Sequence, residues 1–413
     1  MTDDRHHFKA LLKNTNFIKL WLSQMFSQFT INIMNFYVLT RVFALTESSL
    51  AVSFMWLAGA IPALLLGPFA GSIVDNFSRR TILIVTNILQ AGVIFCALFV
   101  SEKVFLLYAV VFFYWLLDQF YFPSQQASTP RLVPAEYLTA ANGLFLLTQQ
   151  ASVFVGFGLG GILLTIFGPV GTVLIASANL LLAAASVYYL PRDPDRPGAK
   201  DKDFLKFWHD FQVGYDYLRQ HRRILLPILL LIGSQVLISV IAVLLPGYVR
   251  SVLGLDLKHA SITLIVPGAL GAFAATYLLP RLSKTHRTKS LVQVGLILAA
   301  TGLLIMSLLR LAPAKIYIAV ATASLLGGAV ASITVPIQSL VQSQTPKHLH
   351  GRVYGQMNFL LILATILPMI VSATIADILG ISRFMGILGL ILLSAYLFIR
   401  HRGDNVLANR SWL

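Results

Sequence analysis

Residues 122–143 read FPSQQASTPRLVPAEYLTAANG, and residues 335–355 read VPIQSLVQSQTPKHLHGRVYG. Pro123 and Gln125 align with Pro336 and Gln338 at a shift of 213, and Pro134 and Gly143 align with Pro346 and Gly355 at a shift of 212. That shift is about half of the 413-residue chain, so the pattern reads as a duplicated unit. Each stretch is polar and proline-bearing and lies between long apolar runs, which predicts a turn between two helices in each half.

Working outward, apolar runs bounded by charges or turn residues predict twelve helices. In the first half they cover 17–43, 50–74, 81–101, 104–122, 137–166 and 169–190. In the second they cover 224–249, 259–280, 290–311, 315–341, 350–379 and 382–400. The chain is 57% hydrophobic and 11% charged, against about 45–50% apolar and about 25% charged in soluble domains. So few charges cannot cover a soluble surface. Twelve spans of about 20 residues use about 240 residues, which leaves short loops and excludes a soluble catalytic domain on an anchor. The expected fold is an all-α polytopic membrane protein, with six-helix bundles at 1–190 and 224–413 joined by a linker at 191–223.

A net charge of +15 raises the question of nucleic acid, but the cations lie in short loops between apolar spans. With the N-terminus inside, 24 of the 31 Lys and Arg fall in inner segments, which predicts that both termini are cytoplasmic. The first residues, MTDDRHHFKALLKNTN, lack the apolar core of a cleavable signal, so the first span is expected to direct insertion. Cys96 is the single cysteine, which rules out an intramolecular disulfide. After PRDPDRPGAKDKD, the linker places Phe204, Phe207, Trp208, Phe211, Tyr215 and Leu218 on one helical face, with Lys206, Arg219, Arg222 and Arg223 beside it. An amphipathic helix on the inner membrane surface fits that pattern, and a partner-docking helix is the alternative.

Two groups of residues carry the chemistry. Residues 71–80, GSIVDNFSRR, hold Gly71, Asp75, Arg79 and Arg80. A small residue allows close helix approach, and a carboxylate and a guanidinium four apart can pair. Asp118 falls near the predicted inner end of the fourth helix, where a buried acid needs a partner. An Asp75–Arg79–Asp118 cluster with Arg80 is therefore expected to lock the inner side, a static inside-positive anchor being the other reading. Arg352 plays the matching inner part in the second half, or contacts lipid phosphate. Asp377, at the outer end of the eleventh helix, reads as interfacial.

The first helix has Gln24, Gln28, Asn32 and Asn35 at steps that share one face. Neutral amides in hydrocarbon must face protein or a water-filled cavity. With Tyr114 and Trp115 on the fourth helix and Gln235 and Ser239 on the seventh, they are expected to line a small-molecule cavity. Interhelical hydrogen bonding is the competing role for each amide.

Gly71, Asp75, Arg79 and Arg80 resemble the signature loop of the major facilitator superfamily, G-x-x-x-D-[RK]-x-G-[RK]-[RK], with Asn76 and Ser78 departing from it. LLDQF around Asp118, VPAEYLTAANG, GFGLGG at 156–161 and QTPKHLHGRVYG are similar to the branch containing the enterobactin exporter and macrolide efflux proteins. The resemblance implies a central cavity lined by the first, fourth, seventh and tenth helices, and Asp118 joined to the loop arginines. It also implies a monomer in the bacterial inner membrane and proton antiport, for which Asp118 is the candidate proton site. Phe157 stands where such antiporters often carry proline in G-P-x-x-G-G, and Thr30-Ile31 stand where the branch often has Gly-Asp.

The function expected is secondary export of amphipathic or hydrophobic small molecules by alternating access. A lysophospholipid flippase and a transport-inactive sensor or scaffold are the alternatives. The partners expected are a small-molecule or lipid-like substrate, membrane lipids and protons. No nucleotide loop, metal-ligand set or Ser-His-Asp order is present, so no enzyme, metal or cofactor is expected.

Overall fold

In hydrocarbon an unpaired backbone amide has no water to turn to, so an apolar run must satisfy its own N–H and C=O groups, as a helix does. The computed structural model describes residues 11–75, 77–191, 222–283, 285–344 and 350–402, and all regular structure within them is helical. The first helices are α1 (Thr15–Thr46), α2 (Ser49–Asp75), α3 (Arg79–Val100) and α4 (Val104–Leu132). The run Leu138–Tyr188 breaks at Gly168 into α5 (138–167) and α6 (169–188). After it come α7 (Arg222–Tyr248), α8 (Val266–Leu282), α9 (Thr288–Leu308), α10 (Lys315–Gln344), α11 (His350–Leu379) and α12 (Ile381–Arg402). Among the described residues ten helical stretches are long and apolar enough to cross a membrane, with Ala135–Tyr188 counted as one, and Leu363–Leu379 is a shorter apolar helix. The expected linker helix falls outside the described residues.

Local chemistry explains the breaks. Gly168 takes φ 66° and ψ −175°, a backbone that side chains disfavour, and Pro169 then opens α6 where its missing N–H costs nothing. Asn14 caps α1: its Oδ1 accepts from the amides of Asn16 and Phe17, each at 3.1 Å. Two boundaries differ from the sequence reading. The fourth helix does not stop at 122 but runs through Pro123 and Pro130 to Leu132. Proline inside a membrane helix is tolerated where side chains support the backbone. Here Ser124, Ser128 and Thr129 fold their hydroxyls onto the carbonyls of Phe120, Ser124 and Gln125 at 2.7, 2.7 and 3.0 Å. The eighth helix starts later than 259, because residues 257–265 form short 3-10 and π turns before Val266.

The chain divides into two compact units, Met1–Thr46 with Phe54–Lys202 and Glu47–Ser53 with Asp203–Leu413. In the first unit α1 packs along α5 and touches α4, while α3 packs on α4 and on the α5–α6 run. In the second α7 packs on α11 and α10, and α9 packs on α10 and α12. The pairings repeat with a six-helix offset. So do the cores. Phe17, Leu20, Leu83, Val133, Val187 and Leu190 cluster in the first unit, and Ile228, Leu231, Val292, Ile337, Val341 and Ile399 cluster in the second.

Lipid removes most of the hydrophobic drive for helix association, so close packing and hydrogen bonds hold the units together. Gly156 and Gly160 let α1 lie against α5: a Cβ on Gly156 would stand 2.5 Å from Cβ of Asn32, and one on Gly160 would stand 3.0 Å from the Phe36 side chain. In the second unit α8 and α10 touch backbone to backbone. A Cβ on Gly271 would fall 1.8 Å from the Ser324 carbonyl oxygen, and one on Gly327 would fall 1.8 Å from that of Gly268. Outside, Phe99, Phe105, Leu311 and Tyr317 are exposed, as apolar side chains facing acyl chains must be.

Candidate functional site

The polar stripe of α1 divides between two duties. Gln24 is buried and its Nε2 donates to the carbonyl of Phe145 on α5 at 3.1 Å. Asn32 donates through Nδ2 to the Gln28 carbonyl at 2.8 Å and to Ser152 Oγ on α5 at 3.3 Å. The indole N–H of Trp21 reaches Thr148 Oγ1 at 2.8 Å on the same helix. These groups bind helix to helix, so the cavity role expected of Gln24 and Asn32 gives way to interhelical bonding. Gln28 is half-buried and Asn35 is buried.

A second face of α1 meets α3 and α4 in a buried polar cluster. Ser23 Oγ lies 3.1 Å from the Tyr121 hydroxyl, and Asn87 Nδ2 donates to Ser23 Oγ at 3.3 Å. The Tyr114 hydroxyl donates to the Ser27 carbonyl at 3.5 Å, and Gln90 Nε2 donates to the Tyr114 carbonyl at 3.4 Å. Gln90 also hydrogen-bonds the Asp118 carboxylate, which is half-buried. Ser23, Ser27, Asn87, Gln90 and Tyr121 were absent from the sequence-based site. The available signal was Asn87 and Gln90, two amides one turn apart in an otherwise apolar helix.

The cluster expected to join Asp118 to the loop arginines is not what the structure brings together. Arg79 is buried and its Nη1 donates to the Ala127 carbonyl at 2.6 Å, while the Arg80 guanidinium stands 5.2 Å above the Tyr188 ring. Asp118 draws its partner from α3 instead. The cause is the length of α4. Because the helix continues to Leu132, Asp118 lies about 21 Å from its end and about 13 Å from Ala127 along the axis, at 1.5 Å per residue. Asp118 thus stands at the middle of α4. The side chains of Gly71, Asp75 and Arg352 lie outside the described residues.

Aromatic groups gather around Phe157, the residue in the place of proline. Trp56 of α2 stacks on it with ring centroids 6.4 Å apart and planes within 7°, and Phe36 meets it edge-on at 6.1 Å. Trp56 and Phe157 are half-buried, and the Trp56 indole nitrogen is buried with no hydrogen-bond partner among the described residues. Trp115 is half-buried against α2, where its ring would stand 3.0 Å from a Cβ at Gly59. Tyr114, by contrast, is enclosed in the polar cluster. On α7 Gln235 is exposed, and Ser239 folds its hydroxyl onto the Val236 carbonyl at 2.9 Å.

Asp377 does more than sit at an interface. Within the second unit, its carboxylate accepts from Ser48 Oγ at 2.9 Å and from the amides of Ser49 and Leu50 at 3.1 and 3.2 Å. Glu47, with φ 50°, makes the left-handed turn that precedes these three donors. The carboxylate thus caps the first turn of α2, where helix amides lack intrahelical acceptors.

The sequence matches the profile of the Major Facilitator Superfamily over residues 20–369. The chain is 26% identical to the uncharacterized MFS-type transporter YfiS of Bacillus subtilis (strain 168), over 85% of this chain and 84% of that protein. It is 25% identical to macrolide efflux protein A of Streptococcus pyogenes, over 91% of this chain and 93% of that protein. A crystal structure of the nucleoside transporter NupG, as its D323A mutant, superposes with a TM-score of 0.72 at 12% identity, covering 92% of this chain and 99% of that one. The chain belongs to the Major Facilitator Superfamily. It is a multi-pass integral membrane transporter of a bacterial membrane, and not an enzyme.

Proposed function

We propose that the protein exports amphipathic or hydrophobic small molecules across the cytoplasmic membrane by alternating access. The observation that carries this reading is the nearly end-to-end similarity to macrolide efflux protein A. The site chemistry agrees with it. Trp56 and Phe157 offer half-buried aromatic faces beside one unpartnered indole N–H, the mostly apolar lining with few polar groups that suits an amphipathic ligand. Gln28, Asn35 and Trp115 are the further candidate contacts on the first unit, and Gln235 and Ser239 are those on the second. Gly71, Asp75, Arg79, Arg80 and Arg352 act at the inner ends of the helices, and ion coupling runs through Asp118, with protons as the ion the family resemblance implies.

The test is efflux from proteoliposomes carrying the purified protein, with a macrolide, a planar aromatic dye and a fluorescent lysophospholipid as probes. Movement of the dye or macrolide is expected. Trp56→Ala is expected to weaken it about fivefold, the size of one lost aromatic stack. Flux of the lysolipid alone would replace export with lipid flipping, and flux of none of the probes would defeat the proposal.

A further inference from the structure

The two halves differ at one matching place. Arg80 and Lys289 are each the second residue of a helix, α3 and α9. Three residues further on, Leu83 and Val292 are buried in the two cores, as are Val187 on α6 and Ile399 on α12. The residues that follow these last two are Tyr188 and Arg400. In the first unit the match is a cation on an aromatic ring, with the Arg80 guanidinium 5.2 Å from the Tyr188 ring centroid. In the second it is two cations. Lys289 Nζ donates to the Arg400 carbonyl at 3.3 Å, and Arg400 Nη1 donates to the Tyr396 hydroxyl at 3.4 Å. Arg287, which precedes the first residue of α9, and His401, which follows Arg400, are both exposed.

Helix stability does not account for this grouping, because cations oppose the dipole at the N-terminal end of a helix, where Arg287 and Lys289 stand. A topogenic excess of Lys and Arg sets their side of the membrane, but not the convergence of two residues 111 positions apart. The sequence has no acid from Leu257 to Ala376 or from Ile378 to Gly403. Asp377 precedes the start of α12, which puts Arg400 about 28 Å further along that helix at 1.5 Å per residue. Beside the cations, Leu282 on α8 and Leu397 and Phe398 on α12 are exposed, as side chains facing acyl chains are. A lipid with its phosphate on the cations and its chains along these residues uses both features, whereas a free phosphate uses only the first. We propose that Arg287, Lys289 and Arg400 bind the headgroup phosphate of an anionic phospholipid where α9 meets α12. Lysine brings three N–H donors and arginine five, and charge-assisted hydrogen bonds to phosphate are among the strong ones. The site lies within the second unit and does not depend on the export reading.

Thermal unfolding of the delipidated full-length protein in detergent tests it, with phosphatidylglycerol, phosphatidylcholine or inorganic phosphate added at equal concentration. A saturable rise in unfolding temperature is expected with phosphatidylglycerol and with neither of the others. Lys289→Gln and Arg400→Gln are each expected to raise the phosphatidylglycerol concentration needed for half of that rise about fivefold. Arg310→Gln removes an exposed cation just past the other end of α9 and is expected to leave that concentration unchanged. No rise with phosphatidylglycerol overturns the proposal, and so does an equal rise with phosphatidylcholine or with inorganic phosphate. Those outcomes are read on the wild-type protein and depend on no variant folding. An equal loss in Arg310→Gln overturns it as well, because net charge alone would then set the affinity.

Discussion

Arg79 is a charged side chain that is 8% exposed and that donates to a main-chain carbonyl, Ala127 O, at 2.6 Å. A hydrogen bond made by a charged donor is worth about 1.5–3 kcal/mol, more than a neutral one. Arg79→Ala is expected to destabilise the protein by about that amount, read as a lower denaturation midpoint in detergent. Lys at 79 keeps the charge but not the fixed guanidinium fork, so Arg79→Lys is expected to recover only part of the loss. A midpoint unchanged in Arg79→Ala would show that the contact to α4 contributes nothing. Arg80 acts differently: over the Tyr188 ring it joins the start of α3 to the end of α6 by a cation–π contact, worth about 0.5–1 kcal/mol at an exposed site.

Between elements, small residues decide how near two helices can come. Gly156→Ala sets a methyl 2.5 Å from Cβ of Asn32, and Gly327→Ala sets one 1.8 Å from a carbonyl oxygen, so in each case a helix must move. Overpacking of this kind costs about 1–3 kcal/mol or more, and Gly327→Ala should be the worse because backbone cannot turn aside. Gly143→Ala is the control. A methyl there meets nothing within 4 Å, and alanine is favoured over glycine inside a helix by about 1 kcal/mol. Thermal unfolding of the three variants should rank Gly143→Ala highest and Gly327→Ala lowest; any other order contradicts the packing described. The cap on α2 is a second test at this scale. Asp377→Ala removes the acceptor of three donors, and the loss of a helix cap costs about 0.5–2 kcal/mol. Asp377→Asn keeps an acceptor oxygen and should lose less.

Across the whole molecule, the excess of Lys and Arg in alternate loops sets the expected topology. With 24 of 31 cations on one side, green fluorescent protein fused to the C-terminus should fluoresce and alkaline phosphatase fused there should be inactive. The reverse result would invert the orientation and exchange the inner and outer ends assigned here. The recurrence of helix pairings from α1, α3 and α4 to α7, α9 and α10 gives structural body to the weak internal repeat. Small residues allow close approach at a different pair in each half: α1 approaches α5 over Gly156 and Gly160, and α8 approaches α10 over Gly268, Gly271 and Gly327.

The membrane class, the helical runs, the internal repeat and the family signature were legible in the linear chain, because each depends on local composition or on spacing along it. Membership of the superfamily rests on the same linear information. Depth and rotation do not. Pro123 read as the end of a helix, yet α4 passes through it for nine more residues to Leu132 and leaves Asp118 at the middle of the helix and not near its end. Four amides with one spacing read as one lining, yet Gln24 and Asn32 turn to α5, while on α3 Asn87 turns to Ser23 and Gln90 turns to Asp118. Which face of a helix meets a neighbour, and at what level, is settled by the sum of contacts with other helices, and no stretch of sequence contains that sum.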